Sequence, residues 1–399
     1  MKYAFLTTLI PAQMAEEVRQ KSTHNMQDAA NALQWNIYNG LCSNIDERIT
    51  IFNVLPIGSF PQYYKDPFVK RSFFGEGDEH VNIGFCNVKL IKKWRQAGKI
   101  FARLNKWCKE DNEEKTLFVY TMSAPFMVAV NKLKARFPKL KVCVIIADLP
   151  HLSNLSSKKS LLKRIYEKTQ SKVSYSHIDA VDSFVLLTEQ MAEYLRIRVP
   201  YVVMEGISTL QTLKDRKGEC GIKTVLYTGT LHKRFGILNL VSAFEGIEDP
   251  SYRLVICGTG DSEAEIRESA QRDARIEFKG QMRREDILEL QKEATVLVNP
   301  RQNNEEFTKY SFPSKNLEYL SSGVPLIAYK LDGIPDEYDA YINYVPEDSV
   351  ESLRQTLVEI CEDTDGRAAK RALDAARFVV EEKNPQKQTL KMIKMLELL

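Results

Sequence analysis

The chain has 399 residues, of which 44% are hydrophobic and 27% are charged. This composition excludes an intrinsically disordered protein, and the length leaves room for two domains with separate cores. The net charge of +3 is too close to neutral to indicate nucleic-acid binding by itself. The seven cysteines are scattered and never spaced as C-x-x-C, and the five histidines are isolated. The pattern favours reduced thiols in a cytoplasmic protein and predicts no metal site.

The first half alternates between apolar runs of strand length and longer amphipathic stretches. None of the runs is long enough for a transmembrane span, and the first one fits a buried strand better than a signal peptide. Helices are predicted between the runs, for example at 124–137 and 188–197. The predicted strands are 3–10, 48–57, 115–122, 141–150, 183–188 and 200–206.

The second half repeats this alternation. Its predicted strands are 223–230, 252–260, 275–280, 294–300, 324–329 and 341–347. Its predicted helices are 235–247, 261–273, 284–293, 314–322 and 349–362. Continuous apolar strands that alternate with helices are typical of parallel sheets covered on both faces.

These patterns predict an α/β protein made of two Rossmann-like, doubly wound domains. We place the domains at 1–207 and 208–380, because the segment 206–223 is polar and lacks apolar periodicity. The helical tail is interrupted at 382–386, and its last helix, 385–399, is expected to pack back on the first domain. Ligands of such sheets bind beyond the carboxyl ends of the strands, so we expect the two domains to face a central cleft.

The segment YSFPSKNLEYLSSGVPLIAY, residues 310–329, suggests a ligand site. Ser314 is a candidate N-cap, so the N–H groups of Lys315, Asn316 and Leu317 are expected to be free for a phosphate, and Lys315 adds a positive charge. Glu318 lies four residues after Ser314, outside capping-box spacing, and can accept hydrogen bonds from a ribose diol. The alternative is that Lys315 and Glu318 are solvated charges on a helix surface.

Other strand ends of the second half carry matching features. Gly229 and Gly258 each follow a strand, where glycine permits close backbone approach to a ligand, although a tight turn would also explain them. Lys233 and Arg234 follow the first of these glycines, and Arg301 lies just past another strand. Together these residues predict a diphosphate site.

The order of these segments resembles the donor-binding domain of glycosyltransferase family 4, whose members are retaining enzymes with the GT-B fold. The resemblance covers residues 223–347 and is looser in the first half, at 145–152, 184–195 and 201–207. It is carried by VLYTGTLHKRFGILNLVSAF, YRLVICGTGDSEAEI, IEFKGQMRREDILELQKEATVLVNPR and FPSKNLEYLSSGVPLIA.

The resemblance implies roles for individual residues. Glu318 matches the second glutamate of the family's E-x7-E motif, which binds the donor ribose. Ser314, Lys315 and Asn316 fall where the family meets the diphosphate. The residues expected at the base are Gln281, Met282 and Arg283.

The chain also departs from the family pattern. Tyr310 stands where the motif has its first glutamate. The family's arginine and lysine after the first strand of this domain align near Thr230 and Phe235, which carry no charge. Lys233, Arg234, Arg301 and Lys315 are the candidates to replace them.

Candidate acceptor residues lie in the first half. Asp148 and His151 flank Leu-Pro just after a buried strand. The resemblance implies a front-face mechanism in which the leaving phosphate takes the acceptor proton, so Asp148 and His151 are expected to orient the acceptor as the catalytic pair. The alternatives are a turn or N-cap role for Asp148 and a loop or capping role for His151.

Two segments of the first half, 86–109 and 158–172, are strongly basic, with apolar residues interleaved among the lysines and arginines. One interpretation is a pair of core-packed helices with solvated outer faces. The other is docking on an anionic membrane leaflet, which would suit a lipid-diphosphate acceptor. Nucleic acid is a third option, but no recognition motif supports it.

The sequence thus predicts a cytoplasmic retaining glycosyltransferase that needs no metal or other cofactor. A peripheral position on the inner face of the plasma membrane is the expectation if the basic segments dock on lipid. Its donor would be a nucleotide sugar linked to UDP or GDP, and its acceptor a glycan or a lipid-linked glycan of bacterial surface polysaccharide assembly. Two alternatives stay open: a sugar-nucleotide epimerase of the same fold, and a catalytically silent partner subunit.

Overall fold

The computed structural model of the protein describes residues 1–23, 28–77, 79–89, 91–149, 161–209 and 221–398. Its strands in chain order are β1 (Lys2–Thr7), β2 (Ile49–Asn53), β3 (Phe68–Val69), β4 (Ser72–Phe74), β5 (His80–Asn82), β6 (Phe85–Cys86), β7 (Lys115–Tyr120), β8 (Lys141–Ile146), β9 (Ser183–Leu186), β10 (Tyr201–Val203), β11 (Lys223–Thr228), β12 (Tyr252–Cys257), β13 (Ile276–Gly280), β14 (Val296–Asn299), β15 (Leu326–Ala328) and β16 (Asn343–Tyr344).

Its α-helices are α1 (Ala12–Lys21), α2 (Asp28–Asn44), α3 (Lys92–Lys109), α4 (Ala124–Arg136), α5 (Leu161–Tyr175), α6 (Glu189–Leu195), α7 (Ile237–Glu245), α8 (Glu263–Arg272), α9 (Arg284–Glu293), α10 (Ser314–Leu320), α11 (Val350–Cys361), α12 (Arg367–Glu382) and α13 (Pro385–Leu396). Among the described residues, no helix combines the length and the apolar character that a bilayer crossing requires.

The chain divides into two compact units. The first contains Met1–Ile207 together with Pro385–Leu399, and the second contains Ser208–Asn384. The last helix, α13, thus belongs to the first unit, where it packs on α2. A Cβ at Gly40 would lie 2.3 Å from the carbonyl oxygen of Pro385, so the close approach of the two helices requires glycine there. Asn44 also donates from Nδ2 to the Gln386 carbonyl at 2.9 Å.

The first unit is built on an eight-stranded sheet in the order β10-β9-β8-β7-β1-β2-β5-β4. All neighbouring strands are parallel except β4 and β5, and Phe5 of β1 pairs with Ile51 on one side and Phe118 on the other. The sequence patterns did not predict β3 to β6, which lie between β2 and α3 in the chain. Strand β3 pairs with β6 and β4 pairs with β5, both antiparallel. These strands have two or three residues each, too few for a periodic apolar pattern.

The second unit contains a six-stranded, fully parallel sheet in the order β13-β12-β11-β14-β15-β16. Each predicted strand of this half is present, although several are shorter than the apolar runs that indicated them. The order reverses between β11 and β14, because β12 and β13 lie on one side of β11 and later strands on the other. The carboxyl ends of β11, β12, β13 and β14 are therefore neighbours at one edge of the sheet, where ligands of open α/β sheets bind.

Candidate functional site in the second unit

A recess of about 400 Å³ opens at this edge, which is within the usual size range of small-molecule sites. It is lined by the residues that follow four strands and by the start of α10. The lining residues are Tyr227, Thr228, Gly229, Thr230, Phe235, Cys257, Gly258, Thr259, Gln281, Met282, Ile287, Asn299, Arg301, Pro313, Ser314, Lys315 and Tyr319.

The residues that follow β11 and β12 approach each other closely at the recess. Gly258 has φ of 140°, and a Cβ there would lie 1.7 Å from the carbonyl oxygen of Gly229. No side chain other than hydrogen fits that position, so Gly258 is required by the close approach of two strand ends. The surface of the recess consequently consists of backbone atoms at this point.

Arg301 is the strongest candidate for binding an anion. Its guanidinium carbon lies 4.2 Å from the centre of the Phe235 ring and 5.5 Å from that of Phe307. Among the described residues it forms no ion pair, and its Nε has no hydrogen-bond partner. Burial lowers the pKa of Arg301 to about 10, with Tyr227 opposing and Arg234 adding to that effect, so the group stays charged near neutral pH.

Lys315 and Glu318 form an ion pair of 2.8 Å with each other. The sequence suggested two separate ligand contacts, whereas in the structure the two charged side chains are paired with each other. Burial opposes ionisation of Glu318, but the charge of Lys315 and hydrogen bonds from Lys315 and Gln291 outweigh it and lower the pKa of the carboxyl group. Glu318 is therefore a carboxylate at neutral pH.

Three residues that the sequence did not single out hold this pair in place. Gln291 is fully buried and donates from Nε2 to Glu318 at 2.7 Å and to the Thr228 hydroxyl at 3.2 Å. The backbone N–H of Thr228 donates to the Tyr319 hydroxyl at 2.8 Å, and that hydroxyl donates to the Thr228 carbonyl at 2.9 Å. These contacts join residues 27 to 91 positions apart, so no local sequence signal could have found them.

The expectation that Ser314 caps α10 was wrong. Helix α10 begins at Ser314 itself, Pro313 occupies the cap position, and no side chain caps the helix. The backbone N–H of Asn316 is also not free, because it donates to the Pro313 carbonyl at 2.8 Å. Of the three N–H groups expected to be free for a phosphate, that of Asn316 is therefore already bonded within the protein.

Asn316 has a supporting position. Its side chain is fully buried and accepts a hydrogen bond of 2.6 Å from Asn299, which lines the recess. Its Nδ2 has no partner among the described residues. Asn316 therefore fixes the orientation of Asn299.

Other predicted residues lie away from the recess. Lys233 is 58% exposed and pairs with Glu265 at 2.7 Å, while Arg234 pairs with Glu305 at 2.7 Å. Tyr310 ends a short 3-10 helix, and it does not line the recess. Arg283 pairs with Asp286 at 2.8 Å, whereas its neighbours Gln281 and Met282 do line the recess.

In the first unit, Asp148 lies two residues beyond β8. It has no hydrogen-bond or ion-pair partner among the described residues. Desolvation by the surrounding protein raises its pKa to about 6, even though part of the residue is exposed to solvent. His151 lies outside the described residues.

No group of three or more potential ligands is close enough to hold a metal ion in the part of the chain that the structure describes.

Comparison with known proteins places this site in a known domain. Residues 222–363 match the family model described as Glycosyl transferases group 1. No curated protein matches the chain significantly by sequence.

Solved structures resemble the whole chain at low sequence identity. Sucrose-phosphate synthase from Thermosynechococcus elongatus has a TM-score of 0.65 at 15% identity, covering 100% of this chain and 99% of that one. The lipopolysaccharide outer core galactosyltransferase WaaB in its apo form has a TM-score of 0.64 at 14% identity, with both chains fully covered. HepE from Anabaena, in complex with UDP, has a TM-score of 0.62 at 13% identity and full coverage of both chains. The predicted fold is thereby confirmed: the chain has the two-domain GT-B fold. The segment that matches the glycosyl transferase family model, 222–363, lies in its second unit.

Proposed function

We propose that the protein is a retaining glycosyltransferase that binds a nucleotide-diphosphate sugar in the recess of the second unit. The observation that carries this proposal is the partly buried guanidinium of Arg301 at a strand end. It has no ion-pair partner among the described residues and lines the same recess as Lys315. A charged group held without a carboxylate partner is costly unless a ligand supplies the counter-charge. A diphosphate is an anion that matches a guanidinium and an ammonium at one site.

Arg301 is also placed to replace the arginine and lysine that the family pattern has after the first strand of this domain and that this chain lacks. Thr230 and Phe235, which occupy the positions of that pair, both line the recess, and Arg301 lies over the Phe235 ring at 4.2 Å. We infer that Arg301 brings positive charge to the region from a different strand end. Lys233 and Arg234, the nearer candidates in sequence, are already paired with carboxylates.

The remaining lining residues suit a nucleoside. Met282 and Ile287 provide apolar contact for a base. Glu318 does not itself line the recess but is ion-paired with Lys315, which does, and we propose that it provides a carboxylate for a ribose diol. We propose UDP as the first nucleotide to test, because UDP is the nucleotide in the HepE complex. The acceptor is proposed to be a glycan or a lipid-linked glycan of bacterial surface polysaccharide assembly, which WaaB exemplifies for lipopolysaccharide.

Calorimetric titration of UDP and uridine into the protein and its variants tests the proposal. Arg301→Ala and Lys315→Ala should each weaken UDP binding by about tenfold to a hundredfold, because each removes charge-assisted hydrogen bonds of about 1.5–3 kcal/mol. Uridine affinity should change much less, since uridine has no phosphate. Arg354→Ala is a matched control, because Arg354 is an exposed arginine of α11 paired with Glu351.

UDP affinity that stays unchanged in both variants would contradict the phosphate assignment. Hydrolysis of UDP-sugars by the purified protein distinguishes an enzyme from a silent subunit, which would bind UDP without turnover.

A further inference from the structure

Exposed apolar side chains are concentrated on one part of the first unit. Among the described residues, twelve large hydrophobic side chains are exposed, and seven of them lie within residues 68–94 and 165–166. These seven are Phe68, Phe73, Val88, Ile91, Trp94, Ile165 and Tyr166. Such clustering is unusual on a water-facing surface and marks an interaction site.

Helix α3 separates its apolar residues into two groups. Ile100, Leu104 and Trp107 are buried on one face at helical spacing. Ile91 and Trp94 lie on the opposite, exposed side, and Trp94 is 71% exposed. The inner face therefore fits the interpretation of this segment as a core-packed helix, and the outer face exposes large apolar side chains as well as charged ones.

The exposed side of α3 is also strongly basic. The helix carries seven lysines and arginines and no acidic residue. None of these seven side chains forms an ion pair with a carboxylate in the described part of the chain. Arg95 and Lys99 flank Trp94 on the exposed side, while Gly98 and Ala102 leave the middle of that side open.

Contacts extend this surface to neighbouring segments. The Lys93 ammonium lies 5.1 Å from the centre of the Tyr166 ring on α5. The Arg71 guanidinium lies 5.5 Å from the Phe73 ring, and Phe68 pairs with Cys86 just before α3. Glu167 of α5 lies near Lys93 and offsets part of the positive charge.

We propose that the exposed side of α3, with Ile91 and Trp94 at its amino-terminal end, docks on an anionic lipid bilayer. Tryptophan favours the boundary between headgroups and acyl chains, and lysines and arginines around it contact lipid phosphates. A bilayer needs only apolar insertion and diffuse positive charge. This inference does not rest on the donor site, whose residues all lie in the second unit.

Intrinsic fluorescence of the full chain provides a direct test. The protein has three tryptophans, and Trp107 is buried whereas Trp94 is exposed. The probes are vesicles of phosphatidylcholine alone and of equal parts phosphatidylcholine and phosphatidylglycerol. The anionic vesicles should shift the emission to the blue and sediment the protein at low salt, and high salt should weaken both effects because it screens the charges.

Variants separate insertion from charge. Ile91→Ala with Trp94→Ala should weaken sedimentation with anionic vesicles by about tenfold through lost apolar burial. Arg95→Glu with Lys99→Glu should weaken it by at least about tenfold, since each charge near the surface contributes roughly fivefold. Leu373→Ala and Lys370→Glu on α12 are matched exposed controls and should bind like the parent.

The thermal shift with UDP should be equal in all of these variants, which shows that they are folded. Equal binding of the parent to neutral and anionic vesicles, or unchanged binding of both double variants, would overturn the proposal.

Discussion

The carboxyl ends of the two parallel sheets carry carboxylates in opposite environments. Glu318 in the second unit is held by Lys315 and Gln291, which lower the pKa of its carboxyl group despite burial. Asp148 in the first unit has no partner in the described part of the chain, and desolvation raises its pKa to about 6. The carboxylate in the second unit is therefore held by side chains of the protein itself. The carboxyl group in the first unit has no such partner in the described part of the chain.

If the protein is the glycosyltransferase proposed above, this difference assigns donor binding to the edge in the second unit and acceptor contact to the edge in the first unit. Preorganised charges bind a donor without reorganisation at the moment of reaction. A carboxylate with a raised pKa is adjusted toward proton exchange or toward a hydrogen bond with an acceptor hydroxyl. The following predictions test each side of the comparison.

The largest effect is expected at Glu318. Glu318→Ala should weaken UDP binding by about tenfold to a hundredfold, because it removes charge-assisted hydrogen bonds to the ribose. Glu318→Gln should lose less, because one acceptor oxygen remains. Calorimetric titration measures both, and titration of uridine should show the same loss as UDP if the ribose is the partner.

One result would contradict the assignment of Glu318 to the ribose. If Glu318→Ala bound uridine as tightly as the parent does, Glu318 would serve only to hold Lys315.

A smaller effect is expected at Gln291. Gln291→Leu keeps the side-chain volume but removes the Nε2 donor that contacts Glu318 and Thr228. The fold should tolerate it, because the Oε1 of Gln291 has no hydrogen-bond partner in the described structure and an apolar replacement then leaves fewer polar atoms unsatisfied. UDP affinity should fall by about threefold to tenfold, the equivalent of one hydrogen bond.

The pH dependence distinguishes positioning from a structural role. Gln291 helps to lower the pKa of Glu318, so its loss should raise that pKa. UDP binding of Gln291→Leu should then weaken at a higher pH than that of the parent when the pH is lowered. A loss of affinity that is uniform across pH would argue for a packing effect instead.

The smallest effect is expected at Asp148, as a change in stability with pH. Its folded-state pKa is raised, so the ionised group destabilises the fold above about pH 6, and the penalty disappears below the unfolded-state pKa, where both states are protonated. Asp148→Asn should therefore raise the melting temperature relative to the parent at pH 8 and have little effect at pH 4. Asp182→Asn, which removes the 2.9 Å ion pair with Lys134, serves as the contrasting control.

A melting-temperature difference between Asp148→Asn and the parent that is the same at both pH values would mean that Asp148 is not desolvated. The two edges would then differ only in the number of partners. Loss of transferase activity in Asp148→Asn without loss of UDP affinity would assign it to the acceptor side.

The sequence alone predicted the parallel sheets of both units and several residues of the recess. Continuous apolar runs separated by amphipathic stretches specified parallel strands covered by helices, because such strands are buried on both faces. Gly229, Gly258 and Arg301 were identified from sequence because residues just past parallel strands converge at one edge. Ser314 and Lys315 were identified because they begin a predicted helix, and Met282 was identified through the family resemblance. All six line the recess.

Tertiary structure decided which charges are available to a ligand. Lys233, Arg234 and Arg301 are equivalent in sequence as basic residues after strands, but only Arg301 lacks a carboxylate partner among the described residues. The partners Glu265 and Glu305 come from other segments, and so does the Phe235 ring beneath Arg301. Likewise, the apolar pattern of α3 did not show that Trp94 faces water while Trp107 is buried. Pairing and exposure depend on contacts between distant residues, which local periodicity does not encode.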